Sequence, residues 1–265
     1  MTERDRKIEE RLKHDYNYVR NQGYEVFGVF LQGSQNYKLD YEGSDIDTKC
    51  IILPSAEDAI LNRQPVSTTL VLEDNSHIDL KDIRLMWQCF KKQNINYLEI
   101  LFTEFFYVPY DYYYYWMDMT SRREEIAHMD NYAAVNCIVG MILEKNAALC
   151  HPYPTLKDKI DKYGYDHKQL HHILRCQEFL DRYIDGVTYK ECLISKNPKY
   201  LIEVKSTYKF NLDTAKAIAK DAVEYAKFVK KDYCDTHERV INTKISEEID
   251  SVMVSILTSY WRDMS

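Results

Sequence analysis

Apolar side chains recur at three- and four-residue intervals through residues 3–22, at Ile8, Leu12, Tyr16 and Val19, which predicts an amphipathic helix ended by Gly23. Tyr24 to Leu31 is rich in β-branched and aromatic residues and reads as a strand. A second strand is expected where Asp45, Asp47 and Lys49 alternate with Ile46, Thr48 and Cys50, continuing through Ile51 to Leu53 until Pro54 stops it. Residues 68–72 and 76–80 flank Glu73-Asp74-Asn75, a turn-forming tripeptide, and predict a hairpin. Asp82 is the expected N-cap of a helix marked by Ile83, Met86, Trp87 and Phe90.

Beyond about residue 115 the strand signal gives way to long helical stretches, roughly 123–149, 166–185, 212–232 and 245–263. The expectation is an α+β protein: a mixed catalytic domain over residues 1–115, then an all-α domain over 116–265 that closes a shared cleft. No internal repeat and no Gly/Ser linker separates the two parts.

Composition narrows the partners. The chain has 35 Lys and Arg against 42 Asp and Glu, a net charge of −7, which disfavours gripping a long duplex by charge alone. A small substrate, or the end of an RNA or protein, suits this balance better. No stretch approaches the roughly 20 apolar residues of a membrane span. The charged opening, Met1 to Lys13, lacks the apolar core of a secretory signal, so no membrane partner and a cytoplasmic location are expected. The seven cysteines are dispersed with no CxxC pair and read as reduced, small apolar fillers.

The informative segment is Gly33-Ser34, directly after an apolar strand, followed after a ten-residue gap by Asp45-Ile46-Asp47. Residues two apart on a strand point to one face, so both carboxylates would project together and repel unless a cation lay between them. Mg²⁺ accepts one or two carboxylates plus phosphate oxygens. A glycine lets the backbone approach a phosphate, which exposed N–H groups and the Ser34 hydroxyl would cradle. An alternating pair of acids alone is more often a solvated face, but the upstream Gly-Ser turn gives both features one mechanism. Asp79, in His77-Ile78-Asp79-Leu80, would deliver a third carboxylate from a neighbouring strand. Asp74 and Asp82 compete for that role, but a turn and a helix start already explain them.

These ordered pieces, Gly33-Ser34-Gln35-Asn36-Tyr37 and Gly43-Ser44-Asp45-Ile46-Asp47, resemble the GSxxY…SDxD signature of the DNA polymerase β-type nucleotidyltransferase superfamily. Within it the likeness is greatest to the nucleotidyltransferases associated with RNA repair pathways in bacteria and phages. Asp79, Ile83-Arg84 and the run from Asn94 to Leu101 are similar to that subfamily, as are Lys168, His172 and Arg175 after Tyr165-Asp166. The likeness covers residues 28 to about 185 and departs at Asn96, where proline is common. It implies that Asp45, Asp47 and Asp79 hold two Mg²⁺ ions, with Mn²⁺ as the substitute. Gly33, Ser34, Tyr37, Ser44, Lys168, His172 and Arg175 would bind the NTP. The implied reaction moves a nucleoside monophosphate to a hydroxyl, with RNA as the favoured acceptor and protein as the alternative. The rival outside enzymes is a nucleotide-binding regulatory module without turnover.

On a helical wheel Lys168, His172 and Arg175 fall within about 60° of each other, with Arg182 nearby. Leu170, Ile173, Leu174, Leu180 and Ile184 cover the opposite, core-facing side. Other features have plainer readings. The run Tyr110 to Trp116 would stack bases or, more simply, pack between domains. His167 and His171 are one helical turn apart, but no second pair has zinc spacing. Lys227, Lys230 and Lys231 read as a solvated face, and Glu99 as a cleft or structural ion pair.

Overall fold

The computed structural model describes residues 2–41, 44–74 and 76–263. It is α+β, with a mixed five-stranded sheet flanked by helices and an all-helical region. The chain divides into two compact units. The first holds the chain as far as Asn36, the stretch ending at Met129 and the last helix from Asn242. The second holds Tyr37–Tyr41 together with Asp130–Ile241. A boundary at residue 115 would cut a helix, Tyr110–Ser121, and the final helix returns to the first unit.

In the first unit, numbered in chain order, come α1 (Glu3–Asn21), β1 (Glu25–Gln32), β2 (Asp47–Leu53), α2 (Ala56–Ile60), β3 (Ser67–Val71) and β4 (His77–Asp82). After these follow α3 (Ile83–Lys91), α4 (Ile95–Leu98), β5 (Phe106–Tyr107), α5 (Tyr110–Ser121) and α6 (Arg123–Ala127), and then, at the far end of the chain, α13 (Thr243–Asp263). The strand order is β3-β4-β2-β1-β5, antiparallel except for the parallel pair β2–β4. The expected hairpin is present as β3–β4, with Val71 opposite His77 and Asp74 accepting from the Ser76 N–H at 2.9 Å; Asn75 lies outside the described residues. Asp82 caps α3 as expected, accepting from the Arg84 N–H at 2.8 Å.

Alternation sorts the two sheet faces. Val29, Leu31, Cys50, Ile52, Ile78 and Leu80 form one core with Ile8, Leu12 and Val19 of α1. Burying each large apolar side chain contributes about 1.5–3 kcal/mol. Within this core Asp15 is fully buried, accepting from Arg11 Nε at 2.7 Å and from Thr48 Oγ1 at 2.5 Å. On the other face Phe30 meets Trp116 of α5, with ring centroids 4.4 Å apart. The tyrosine run therefore splits: Tyr112 and Trp116 pack within the first unit, while Tyr110, Tyr113 and Tyr114 face solvent. Asp250 of α13 accepts from Trp87 Nε1 at 2.7 Å and Lys91 Nζ at 2.6 Å, which explains the return of the last helix to this unit.

The second unit contains α7 (Asn131–Ala148), α8 (Lys157–Tyr163), α9 (His167–Ile184), α10 (Tyr189–Leu193), α11 (Pro198–Ser206) and α12 (Leu212–Thr236). The helix expected over 123–149 is broken, because Asp130 caps α7 on the Ala133 N–H at 3.0 Å and also pairs with Arg239 at 2.5 Å. Ala215, Ala219, Ala222 and Ala226 line the buried side of α12, small enough for close packing on α7 and α9. Tyr37 and Leu39, at 5% and 0% exposure, are buried in this unit. No helix among the described residues is long and apolar enough to cross a membrane, and all seven cysteines are unbridged.

Asp15→Ala is expected to lower the unfolding free energy by about 3 kcal/mol, because Arg11 and Thr48 would keep their polar groups without the shared acceptor. Urea unfolding measures this, and a loss below about 1 kcal/mol would show that the buried carboxylate is not what holds α1 to β2.

Candidate functional site

The end of the sheet where β1 stops and β2 starts carries Gly33, Ser34, Ser44, Asp45 and Asp47 of the expected residues. Gly33 leaves β1 with φ +73° and opens a 3₁₀ turn, Gly33–Gln35. The β1–β2 register sets Gln32 opposite Asp47, so the turn lies against the first residue of β2. A Cβ built on Gly33 would stand 2.8 Å from Asp47 Oδ2. The turn is held from α1 by Arg4, whose Nε donates to Gln35 Oε1 at 3.0 Å and whose Nη2 donates to the Gln35 carbonyl at 2.9 Å.

Asp47 is half-buried and Asp45 is exposed. The two do not share a strand: β2 begins at Asp47, and Ser44–Ile46 has no regular structure. Alternation therefore does not aim Asp45, which rides on the loop entering β2. Gly43, part of the same motif, lies outside the described residues. Ser44 is half-buried.

Asp79 has a different setting. In the parallel β2–β4 register it stands beside Lys49, two residues along β2 from Asp47. Lys49 Nζ contacts Asp79 Oδ2 at 2.6 Å, and Lys81 Nζ contacts Asp79 Oδ1 at 2.9 Å. Lys49 is 3% exposed and lies 4.3 Å from the Tyr97 ring centroid. Burial pushes its ammonium below the usual lysine range, while the Asp79 charge pulls it back up. Lys49 and Lys81 were not singled out from the sequence; alternation from Asp47 and Asp79 was the signal that places both on this face.

Among the described residues no group of three His, Cys, Asp or Glu is arranged to hold a metal ion. Asp45 and Asp47 offer hard carboxylate oxygens of the kind Mg²⁺ prefers, and Gly33 packs so closely on Asp47 that a Cβ would overlap its Oδ2. Asp79 does not fit so readily, since both its oxygens are already engaged.

The other expected residues lie on α9 of the helical unit and are not alike. Lys168 is exposed at the first turn, its N–H capped by Asp166 at 3.1 Å. His172 is driven well below its usual range by burial, then by the Arg175 charge, which favours the neutral ring. Arg175, expected on the face away from the core, is only 7% exposed and stacks over Tyr37 with its guanidinium carbon 4.0 Å from the ring centroid. Its Nε makes no hydrogen bond, and among the described residues no carboxylate lies within ion-pair distance of it. Lys205 adds a cation 5.3 Å from the Tyr41 ring.

Two predictions arise from these positions. Gly33→Ala combines a left-handed backbone with overlap on Asp47, and should destabilise the fold by about 1–3 kcal/mol. Gly140→Ala, inside α7 with nothing within 4 Å of its Cβ, should instead stabilise by about 0.5–1 kcal/mol. Matching urea curves for the two variants would refute the strain at Gly33. His171, which hydrogen-bonds the Leu201 carbonyl at 2.9 Å, is lowered to about 4 by burial. Between that value and the unfolded value near 6.5 the unfolded chain binds the extra proton, so stability should fall as pH drops from about 6.5 to 4. Thermal melts across that range should show His171→Asn flattening the slope; an unchanged slope would contradict the assignment.

No family model matches the chain, and no curated protein does. Among solved structures it is similar to a nucleotidyltransferase-like protein from Exiguobacterium sibiricum 255-15, with 10% identity over 84% of this chain and 75% of that one, at a TM-score of 0.32. Similarity at that level establishes neither a shared fold nor a shared activity.

Proposed function

We propose that the protein is a magnesium-dependent nucleotidyltransferase that moves a nucleoside monophosphate from an NTP to a hydroxyl acceptor, with an RNA end favoured. The observation that carries this reading is the packing of Gly33 against Asp47: a positive-φ glycine opens a turn directly after a buried strand, so close to a half-buried carboxylate that a Cβ there would lie 2.8 Å from Asp47 Oδ2. A backbone turn with no side chain beside a hard oxygen donor suits a phosphate carrying a divalent cation.

Asp45 and Asp47 would hold the ion, which supplies charge neutralisation to the triphosphate and lowers the barrier to displacement at the α-phosphorus. Exposed N–H groups at Gly33 and Ser34, with the Ser34 hydroxyl, would orient the phosphates. The acceptor oxygen forms the new bond to the α-phosphorus as the α–β bridging bond breaks, and pyrophosphate leaves with that electron pair. The acceptor hydroxyl passes its proton to solvent water in the same step. In the helical unit we assign phosphate binding to Lys168 and Arg175, with Tyr37 fixing the guanidinium plane. His172, kept neutral by burial, would add no charge there.

Incubation with α-³²P-labelled NTPs, Mg²⁺, total RNA and total protein tests the reading and separates an RNA from a protein acceptor. Label transfer should disappear in Asp47→Asn and Asp45→Asn, and Arg175→Ala should weaken NTP binding roughly tenfold, equivalent to about 1.4 kcal/mol. Transfer by Asp47→Asn at the wild-type rate would refute the proposal.

A further inference from the structure

Three-carboxylate metal sites require every carboxylate to be available to the ion, and three observations on the first unit bear on Asp79. The β2–β4 register sets it beside Lys49 rather than beside Asp47. Both of its oxygens are taken, Oδ2 by Lys49 at 2.6 Å and Oδ1 by Lys81 at 2.9 Å. The two lysines are themselves well covered, at 3% and 15% side-chain exposure, and Lys81 is further fixed by donating to Ser67 Oγ at 2.9 Å.

We propose that Asp79 is the shared counter-ion of Lys49 and Lys81, not a metal ligand, so that Asp45 and Asp47 hold a single divalent ion. The inference rests on the nucleotidyl-transfer reading and specifies its metal site. Asp79 is the one ion-pair partner of Lys49 among the described residues, and the Tyr97 ring covers the ammonium from another side. Turning Asp79 toward a metal would leave that ammonium buried beside an aromatic face with no carboxylate, which is strongly unfavourable. An isolated buried lysine is a heavier liability than an arginine, because its charge is compact and strongly hydrated. Mg²⁺ does not need the third carboxylate, since one or two together with phosphate oxygens and water complete its shell. Asp79 is therefore a positioning residue, which holds Lys49 and Lys81 in place on the sheet face that carries Asp47.

Counting Mn²⁺ by electron paramagnetic resonance, on the full chain with a non-hydrolysable ATP analogue, tests this. The wild-type protein should bind one Mn²⁺ per chain, and Asp79→Asn should keep that stoichiometry with affinity within about twofold. Asp79→Asn should also melt at a lower temperature, and replacing Lys49 as well, in Lys49→Met with Asp79→Asn, should recover part of the loss. Two ions per wild-type chain, or a tenfold weaker Mn²⁺ site in Asp79→Asn, would overturn the proposal while leaving nucleotidyl transfer intact. Failure of the wild-type protein to bind any Mn²⁺, or binding unchanged in Asp47→Asn, would instead refute the nucleotidyl-transfer reading itself. The wild-type count stands without any variant, so a poorly folding Asp79→Asn does not remove the test.

Discussion

The backbone of Gly33 lies so close to the carboxylate of Asp47 that no other residue type fits there without displacing one or the other. That contact follows from the β1–β2 register, which ends β1 at Gln32 opposite Asp47 and turns the chain sharply at the next residue. The register in turn depends on the packing of both strands over α1: a slip of one residue in β2 would take Cys50 and Ile52 off that core and set Asp47 and Lys49 against it. The buried core on one side of the sheet thus sets the position of the carboxylate on the other. Asp15 ties the two together, since its partner Thr48 is the residue next to Asp47.

How far the sequence revealed this depends on whether a feature is local. The β3–β4 hairpin, the Asp82 cap and the apolar stripe of α1 were legible because turn chemistry and periodicity act over a few residues. The association of Gly33-Ser34 with Asp47 was legible as an ordered motif, though the reason for the glycine was not. Its tightest neighbour is the Asp47 side chain, a contact made through strand pairing that no local pattern encodes. Asp45 was misplaced onto the strand because Ser44-Asp45-Ile46 continues the alternation of β2 before its pairing starts. The break before α7 was hidden in the same way, since a capping aspartate inside a helical pattern resembles any surface acid until Arg239 is seen to reach it. The return of α13 to the first unit rests on Asp250 meeting Trp87 and Lys91, residues more than 150 positions away.

Arg175 shows the limit of a helical wheel. Its projection away from Leu170 and Ile173 correctly separates it from the apolar stripe, yet Tyr37, from a segment 138 residues earlier, covers it. A wheel reports the direction of a side chain and not what another part of the chain lays over it. The pairing is chemically apt: a delocalised guanidinium tolerates an aromatic face and partial dehydration better than an ammonium does.

The two buried cations consequently differ in what they have left to offer. Lys49 has its carboxylate at 2.6 Å, so a phosphate approaching it would compete with Asp79 and gain little net attraction. Arg175 has an aromatic ring but no anion among the described residues, and its Nε donor is unused. Part of the desolvation cost of its charge is already incurred in the fold, and an entering phosphate would meet a donor fixed in orientation by the ring beneath it. His171 and His172 flank it in neutral form, lowered by burial and by the Arg175 charge, so neither cancels nor competes for the anion. A carboxylate built in beside Arg175 would remove that capacity, as Asp79 does for Lys49. Among the described residues, then, Lys49 is an ammonium with its counter-ion in place, and Arg175 is a guanidinium without one that keeps an unused donor.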